Sequence, residues 1–285
     1  MKVLPDRFLA FALLACSPFL ASACGSGEAE ANNTGGLSGK LVMTGSSTCA
    51  PAVTELAQAF EKLHPGVRID VQTGGSSRGI RDASSGLADI GMSSRNLKPE
   101  EKEVVQSVTF AQDGVAFLIH AKNPVDEISD EDLKAIFTGE IDNWSKVGGQ
   151  DAPITVINRA EGRSELSLVS KYFGIETDQY AADVIAGENQ QGIKQVASDE
   201  NAIVYMSVGT SEFEKADGTP IKILPLRGID ASSATVAAGS YPLARPLIFV
   251  TQPNPSELQT SFMDYCCSKE AQPVLLDHSF VPTSN

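Results

Sequence analysis

The sequence predicts an α/β fold, and three observations predict it. From Lys40 onward short apolar stretches alternate with longer amphipathic ones, the pattern of strands and helices in turn. Clusters of Gly, Ser and Pro punctuate the changeovers. The run Val115-Ala116-Phe117-Leu118-Ile119 is apolar at every position, as a strand buried on both faces must be.

The elements follow in order. Leu41-Val42-Met43 reads as a strand running into the turn Gly45-Ser46-Ser47-Thr48. Val53, Leu56, Ala57, Phe60 and Leu63 then fall on one helical face, and Pro65-Gly66 stops that helix. Residues 67–71 form the next strand, Gly74-Gly75-Ser76-Ser77 another turn, and Ile80 and Ala83 lie on the helix behind it. A short strand at 88–91 ends in Ser93-Ser94-Arg95. After the apolar strand at 115–119, Asn123-Pro124 opens a second unit. There Ser129 caps a helix, with Asp132 three residues on and Leu133, Ile136 and Phe137 facing the core. A strand at 154–157 leads into Arg159-Ala160-Glu161-Gly162-Arg163-Ser164. Leu166, Val169, Tyr172 and Phe173 mark the helix that Gly174 ends. Residues 192–198 form a further helix, 202–205 and 247–250 strands, and 257–266 and 269–276 two closing helices.

Ahead of this alternation the chain carries processing signals. Lys2 and Arg7 flank the start of an apolar run at 8–19, and Ala21-Ser22-Ala23-Cys24 follows, so residues 1–23 read as a secretory signal peptide. A cysteine behind small residues suggests a lipobox in which the Cys24 thiol is acylated. Leu13-Leu14-Ala15-Cys16 also fits but leaves a very short apolar run, and ordinary cleavage near Ala23 without acylation is the other alternative. Residues 24–39 then form a polar tether, and the protein is expected at the periplasm or cell surface, lipid-anchored to membrane through Cys24.

The 285 residues carry a net charge of −14, which gives no general attraction for nucleic acid or an anionic membrane surface. An anionic ligand must therefore be held by local donors against the overall field. Cys49, Cys266 and Cys267 suit neither a disulfide framework nor a zinc site. A bridge from Cys49 to one of the other two and three small buried thiols both remain open.

Three loops share one grammar: a strand end, a run of Gly, Ser or Thr, then a helix start. They span 45–49, 75–79 and 162–164. The first turn of a helix offers unpaired N–H groups and the positive end of the macrodipole, so it suits anions. Glycine lets the backbone approach closely, and hydroxyls add neutral donors. Arg78 and Arg163 lie in two of these loops, and Arg95 and Arg159 beside comparable turns. Ser and Thr are also ordinary caps, but three such loops in one chain exceed what capping needs.

In combination, Gly45-Ser46-Ser47-Thr48, Thr73-Gly74-Gly75-Ser76-Ser77-Arg78-Gly79, residues 88–95 and residues 159–164 resemble the binding segments of phosphate-binding proteins of ABC importers. The stretch 128–156, with Ile136-Phe137-Thr138-Gly139-Glu140 and Asn143-Trp144-Ser145-Lys146-Val147-Gly148-Gly149, resembles the same family, as does Asn201-Ala202-Ile203-Val204-Tyr205. The resemblance runs in order from about Gly39 to Pro282. It implies a two-lobed type II periplasmic-binding-protein fold with two crossover strands as hinge, lobe one over 40–116 plus 247–285 and lobe two over 117–246. It further implies that the protein is a monomer without cofactor, metal or catalysis, capturing inorganic phosphate by cleft closure for ABC permease subunits.

Carried over by motif, Ser47 and Thr48 donate from the first loop, and Ser76 from the second with Ser77 and Arg78 beside it. Ser94 and Arg95 stand at the third strand end, and Gly162, Arg163 and Ser164 close from lobe two. Arg159 resembles the family's site arginine, with Glu161 expected to pin its guanidinium. Two positions depart from the pattern. Much of the family has an aspartate where Ser94 stands, accepting the proton of hydrogen phosphate. The lobe-two loop, often Gly-Ser-Gly-Thr, is here Gly162-Arg163-Ser164-Glu165. Both bear on selectivity against sulfate or molybdate.

Two rival readings come from other classes. Gly75-Ser76-Ser77-Arg78-Gly79 satisfies a hydrolase G-x-S-x-G pattern, with Asp277-His278 as triad partners. No oxyanion-loop glycines accompany it, and Asp277 and His278 are neighbours. An envelope sensor that kept the fold without transport is the other.

Overall fold

The computed structural model describes residues 36–283. The signal segment, Cys24 and most of the expected tether lie outside the described residues. The first half is built by β1 (Ser38–Gly45), α1 (Ala50–Leu63), β2 (Gly66–Thr73), α2 (Ser76–Ser84) and β3 (Ile90–Ser93). β1 pairs in parallel with both β2 and β3, so α1 and α2 are the crossovers that parallel pairing requires. α1 forms because Ala52, Val53, Leu56, Ala57 and Phe60 bury one continuous face.

A short helix, α3 (Pro99–Lys102), precedes the long strand β4 (Gln106–His120). The second half contains α4 (Asp130–Phe137), β5 (Thr155–Arg159), α5 (Ser164–Phe173), β6 (Val184–Ala186) and α6 (Asn189–Ser198). It continues through β7 (Ala202–Ser207), α7 (Val208–Ala216), β8 (Ile221–Leu224) and α8 (Ser233–Ala237). β9 (Ala244–Thr251), α9 (Glu257–Cys266), α10 (Gln272–Asp277) and β10 (Val281–Pro282) close the chain. The strand order is β2-β1-β3-β9-β4-β7-β5-β6, with β8 and β10 also on β4.

β4 decides the architecture. Its first part, from Gln106 to Gly114, pairs antiparallel with β9, and its second part pairs with β7 and β8. One strand thus belongs to two sheets, and each sheet has its own core. Met43, Leu56, Phe60, Phe110, Phe249 and Phe262 lie in one, where the Phe110 and Phe249 rings stack at 4.2 Å. Phe117, Phe137, Trp144, Tyr205 and Met206 lie in the other. Trp144 is fully buried and donates its indole N–H to the Asn201 carbonyl, so it is a packing anchor of the second core. The change of core falls between Ala111 and Val115 on β4 and between Leu243 and Leu247 at β9. The result is the two-lobed type II binding-protein fold.

The expected strand at 115–119 is only the far half of β4. Residues 106–109 are exposed, which hid the near half from a search for apolar runs. β6, α7, β8 and α8 were also not anticipated; each has few buried apolar positions. Cys49, Cys266 and Cys267 are all free. Cys49 and Cys266 are fully buried, and burial pushes the Cys49 thiol up to about 12, so it packs as a small hydrophobe.

Candidate functional site

The predicted loops meet at one place, where the two lobes face each other beside the β4–β9 connection. Gly45 ends β1 with a positive φ, and a Cβ there would lie 2.1 Å from the Met92 carbonyl, so only glycine lets the first loop nest against β3. Ser46 then accepts from the Thr48 and Cys49 amides at 3.2 and 3.4 Å and starts α1. Gly75, also at positive φ, is the N-cap residue just before α2; a Cβ there would lie 2.9 Å from the Gly162 carbonyl of the facing loop. That carbonyl accepts from the Ser77 amide at 3.3 Å, a direct contact across the cleft.

Between these loops lies a buried chain of hydroxyls. Ser94 Oγ is 2.8 Å from Ser46 Oγ, 3.4 Å from Ser76 Oγ and 2.6 Å from Ser164 Oγ. Its amide donates to Ser76 Oγ at 3.0 Å. Ser46, Thr48, Ser76, Ser94 and Ser164 are all buried. Ser47 is half-buried and 3.5 Å from Asn189 Oδ1.

Beside the hydroxyls sit four buried charges. Arg245 and Asp113 face each other in register across β4 and β9 and pair at 2.9 Å. Arg245 also meets Glu165 Oε1 at 2.9 Å and donates to Ser164 Oγ at 2.9 Å and Thr48 Oγ1 at 3.1 Å. Arg159 donates to Asn189 Oδ1 at 2.9 Å and to the Ala186 and Glu188 carbonyls, with Glu165 Oε2 at 3.7 Å. The correction here is to Glu161: it is exposed, and Asn189 and Glu165 hold the Arg159 guanidinium instead.

The two arginines differ electrostatically. Burial tends to lower the Arg245 pKa, but Glu165 and Asp113 more than offset it, and the guanidinium is raised above its ordinary value. Burial dominates at Arg159, which is lowered. Its Nε is a buried donor without a hydrogen-bond partner among the described residues. Arg159 is thus the less compensated cation. Glu165 is opposed by burial, but Arg245, Arg159 and its own backbone amide bring it down to about 2, so it is ionised at neutral pH.

The remaining predicted arginines are engaged elsewhere. Arg78 pairs with Asp82 at 3.0 Å and donates to the Thr73 carbonyl, with 41% of its side chain exposed. Arg95 forms a two-pronged pair with Glu101, both contacts at 2.8 Å, and reaches Ser77 Oγ at 3.4 Å. Arg163 pairs with Glu188 at 2.9 Å at the cleft rim. Five residues of the site escaped the sequence reading as donors or charges: Ser46, Asp113, Glu165, Asn189 and Arg245. Arg245 and Asp113 carried a usable signal, since a charge beside an apolar strand must find a partner when buried. Asn189 carried none.

The hydrolase pattern is not assembled into a triad. His278 lies 3.2 Å from Glu55 and stacks on Phe213, while the Ser77 hydroxyl lies by Arg95. Among the described residues no group of His, Cys, Asp and Glu forms a metal site, and no helix is long and apolar enough to cross a membrane.

Comparison with known proteins gives a consistent picture. Residues 27–270 match the family described as PBP superfamily domain. The chain is 30% identical to the phosphate-binding protein PstS of Bacillus subtilis, the match covering 98% of this chain and 95% of that protein. It also resembles a solved structure from Clostridium perfringens, described as a phosphate ABC transporter substrate-binding protein with bound phosphate. There the TM-score is 0.80 and the identity 30%, over 86% of this chain and all of that one. An ABC-type phosphate transport receptor from Vibrio cholerae superposes with a TM-score of 0.69 at 26% identity, over the same shares of the two chains.

Proposed function

Because the chain belongs to the PBP superfamily and, within it, to the PstS-like phosphate-binding proteins, we propose that it captures inorganic phosphate in the cleft between its lobes and delivers it to an ABC importer. The observation that carries this reading is the buried polar cluster. Hydroxyls of Thr48, Ser76 and Ser94 come from one side and Ser164 from the other, beside the incompletely paired Arg159. Such neutral donors around a buried cation suit a small oxyanion rather than a metal or an apolar ligand. The lobes are proposed as 40–116 plus 247–285 and 117–246, with the boundary on β4 falling a little earlier where Val115 and Ala116 enter the second core. Phosphate entering the open cleft meets the donors of one lobe, and closure about β4 and β9 recruits the rest. The protein acts as a binding component without catalysis, as a monomer. Equilibrium titration of the purified protein with phosphate, arsenate, sulfate and molybdate tests this. Phosphate and its close analogue arsenate should bind most tightly, and a preference for molybdate or sulfate would refute it.

Arg163 stands at the rim with Nη2 on Glu188 and Nη1 a buried donor without a hydrogen-bond partner among the described residues. Charge-assisted hydrogen bonds contribute roughly 1.5–3 kcal/mol each, so Arg163→Ala should weaken phosphate about tenfold or more if Arg163 turns from Glu188 to the ligand. Lys146, paired with Asp142 on the surface, is the control, and Lys146→Ala should leave affinity unchanged. Equal effects would remove Arg163 from the site.

Ser94 sits where an aspartate would select protonated phosphate. An ionised carboxylate only accepts, so it repels unprotonated sulfate, whereas a hydroxyl can donate or accept. Ser94→Asp should therefore raise the phosphate-to-sulfate affinity ratio, chiefly by weakening sulfate. Arg95 is already held by Glu101 and is not free to neutralise the new charge. Calorimetric titration of both anions into each protein decides it; unchanged sulfate binding in the variant would show that Ser94 does not set selectivity.

Cys24 is proposed as the lipid attachment site, placing the protein on the outer side of a membrane. Cys24→Ala should release the protein from the membrane fraction or block its processing. A fully processed, membrane-bound variant would exclude the anchor.

A further inference from the structure

Glu165 takes the donors that a captured anion would need. The Thr48 hydroxyl has one proton, and Thr48 Oγ1 accepts from Asn189 at 3.2 Å and from Arg245 at 3.1 Å. Its proton therefore goes to Glu165 Oε1, at 3.0 Å. Ser164 accepts from Arg245 and lies 3.3 Å from Glu165 Oε2, to which it donates when Ser94, 2.6 Å away, donates to it in turn. The carboxylate completes its set with Arg245 at 2.9 Å and Arg159 at 3.7 Å. It is thus held by donors from both sides of the cleft, at the first turn of α5, where an N-terminal dipole favours negative charge. Thr48 and Ser164 cannot donate to a ligand while they donate to Glu165.

We infer that Glu165 is a tethered anion that competes with the captured phosphate for Thr48, Ser164 and the two buried arginines, and so sets the affinity of the site below what its donors would otherwise give. The inference rests on the phosphate reading above. Capture then includes an exchange: the carboxylate gives up the two hydroxyls and part of the guanidinium charge, and the phosphate oxygens take them. No covalent bond changes. Because Glu165 stays ionised well below neutral pH, the competition operates throughout the physiological range.

Glu165→Gln keeps the shape and removes the charge. Titrated with inorganic phosphate, it should bind at least tenfold more tightly than wild type, and phosphate should raise its melting temperature by more. Equal or weaker binding would overturn the inference and mark Glu165 instead as a supporting acceptor. If the variant does not fold, the wild type itself provides the readout by carbon NMR. The assigned Glu165 carboxyl resonance should shift when phosphate saturates the protein, and an unmoved resonance would overturn the inference. Failure of the parent reading looks different, since neither protein would then bind phosphate at millimolar concentration, and the inference would fall with it.

Discussion

Arg245→Met should destabilise the protein by about 3–5 kcal/mol, the cost of removing one partner from a buried ion pair and leaving the rest uncompensated. Arg245 is within hydrogen-bond distance of Asp113, Glu165, Ser164 and Thr48, and its side chain is 2% exposed. Without it, Asp113, 0% exposed, would keep only the Gly209 amide, and Glu165, 3% exposed, only Arg159 and two hydroxyls. The site would gain net negative charge, so phosphate binding should fall below detection as well. Urea denaturation of wild type and variant measures the first effect. The double variant Arg245→Met, Asp113→Asn gives the control, because it removes one buried pair as a unit and leaves Glu165 facing Arg159, which costs far less than breaking a pair. A loss under about 1 kcal/mol in the single variant would mean that Asp113 and Glu165 reach solvent when Arg245 is gone.

Arg159→Met should weaken phosphate by about tenfold to a hundredfold, corresponding to one charge-assisted hydrogen bond of roughly 1.5–3 kcal/mol. Arg159 has an unused buried donor, its Nε, as Arg163 has in its Nη1, and burial has already made the charged form of Arg159 less comfortable. An arriving anion relieves that. Arg159→Lys keeps the charge but loses the planar fork that holds Asn189 and the carbonyls, so it should recover only part of the affinity. Calorimetric titration of the three proteins, each first shown to melt cooperatively, gives the comparison. Wild-type affinity in Arg159→Met would shift the anion site away from β5.

Much of this was legible before the structure. The loops around Ser47, Ser76 and Ser94 each carry glycine beside hydroxyls at a strand-to-helix changeover, a local arrangement with a local cause. Their convergence with Gly162-Arg163-Ser164 was legible only through the ordered resemblance, since spacing along the chain says nothing about which loops face each other. Arg159 was named from the sequence, but its structural partners were not. Glu161 is nearer in sequence, yet α5 turns Glu165 inward and α6 brings Asn189 across. Arg78 and Arg95 show the converse: i,i+4 and nearby carboxylates at Asp82 and Glu101 claim them first. Asp113 and Arg245 lie far apart in sequence and meet only because β4 and β9 pair in register. No periodicity in either strand encodes that register.

The crystal structure of the protein grown with phosphate tests the central claim most directly. One phosphate per chain should be buried between the lobes, touching Thr48, Ser76, Ser94, Ser164 and Arg159. Glu165 should have moved off Thr48 and Ser164. Phosphate bound outside this cleft, or a cleft whose hydroxyls keep their present partners at saturating phosphate, would contradict it.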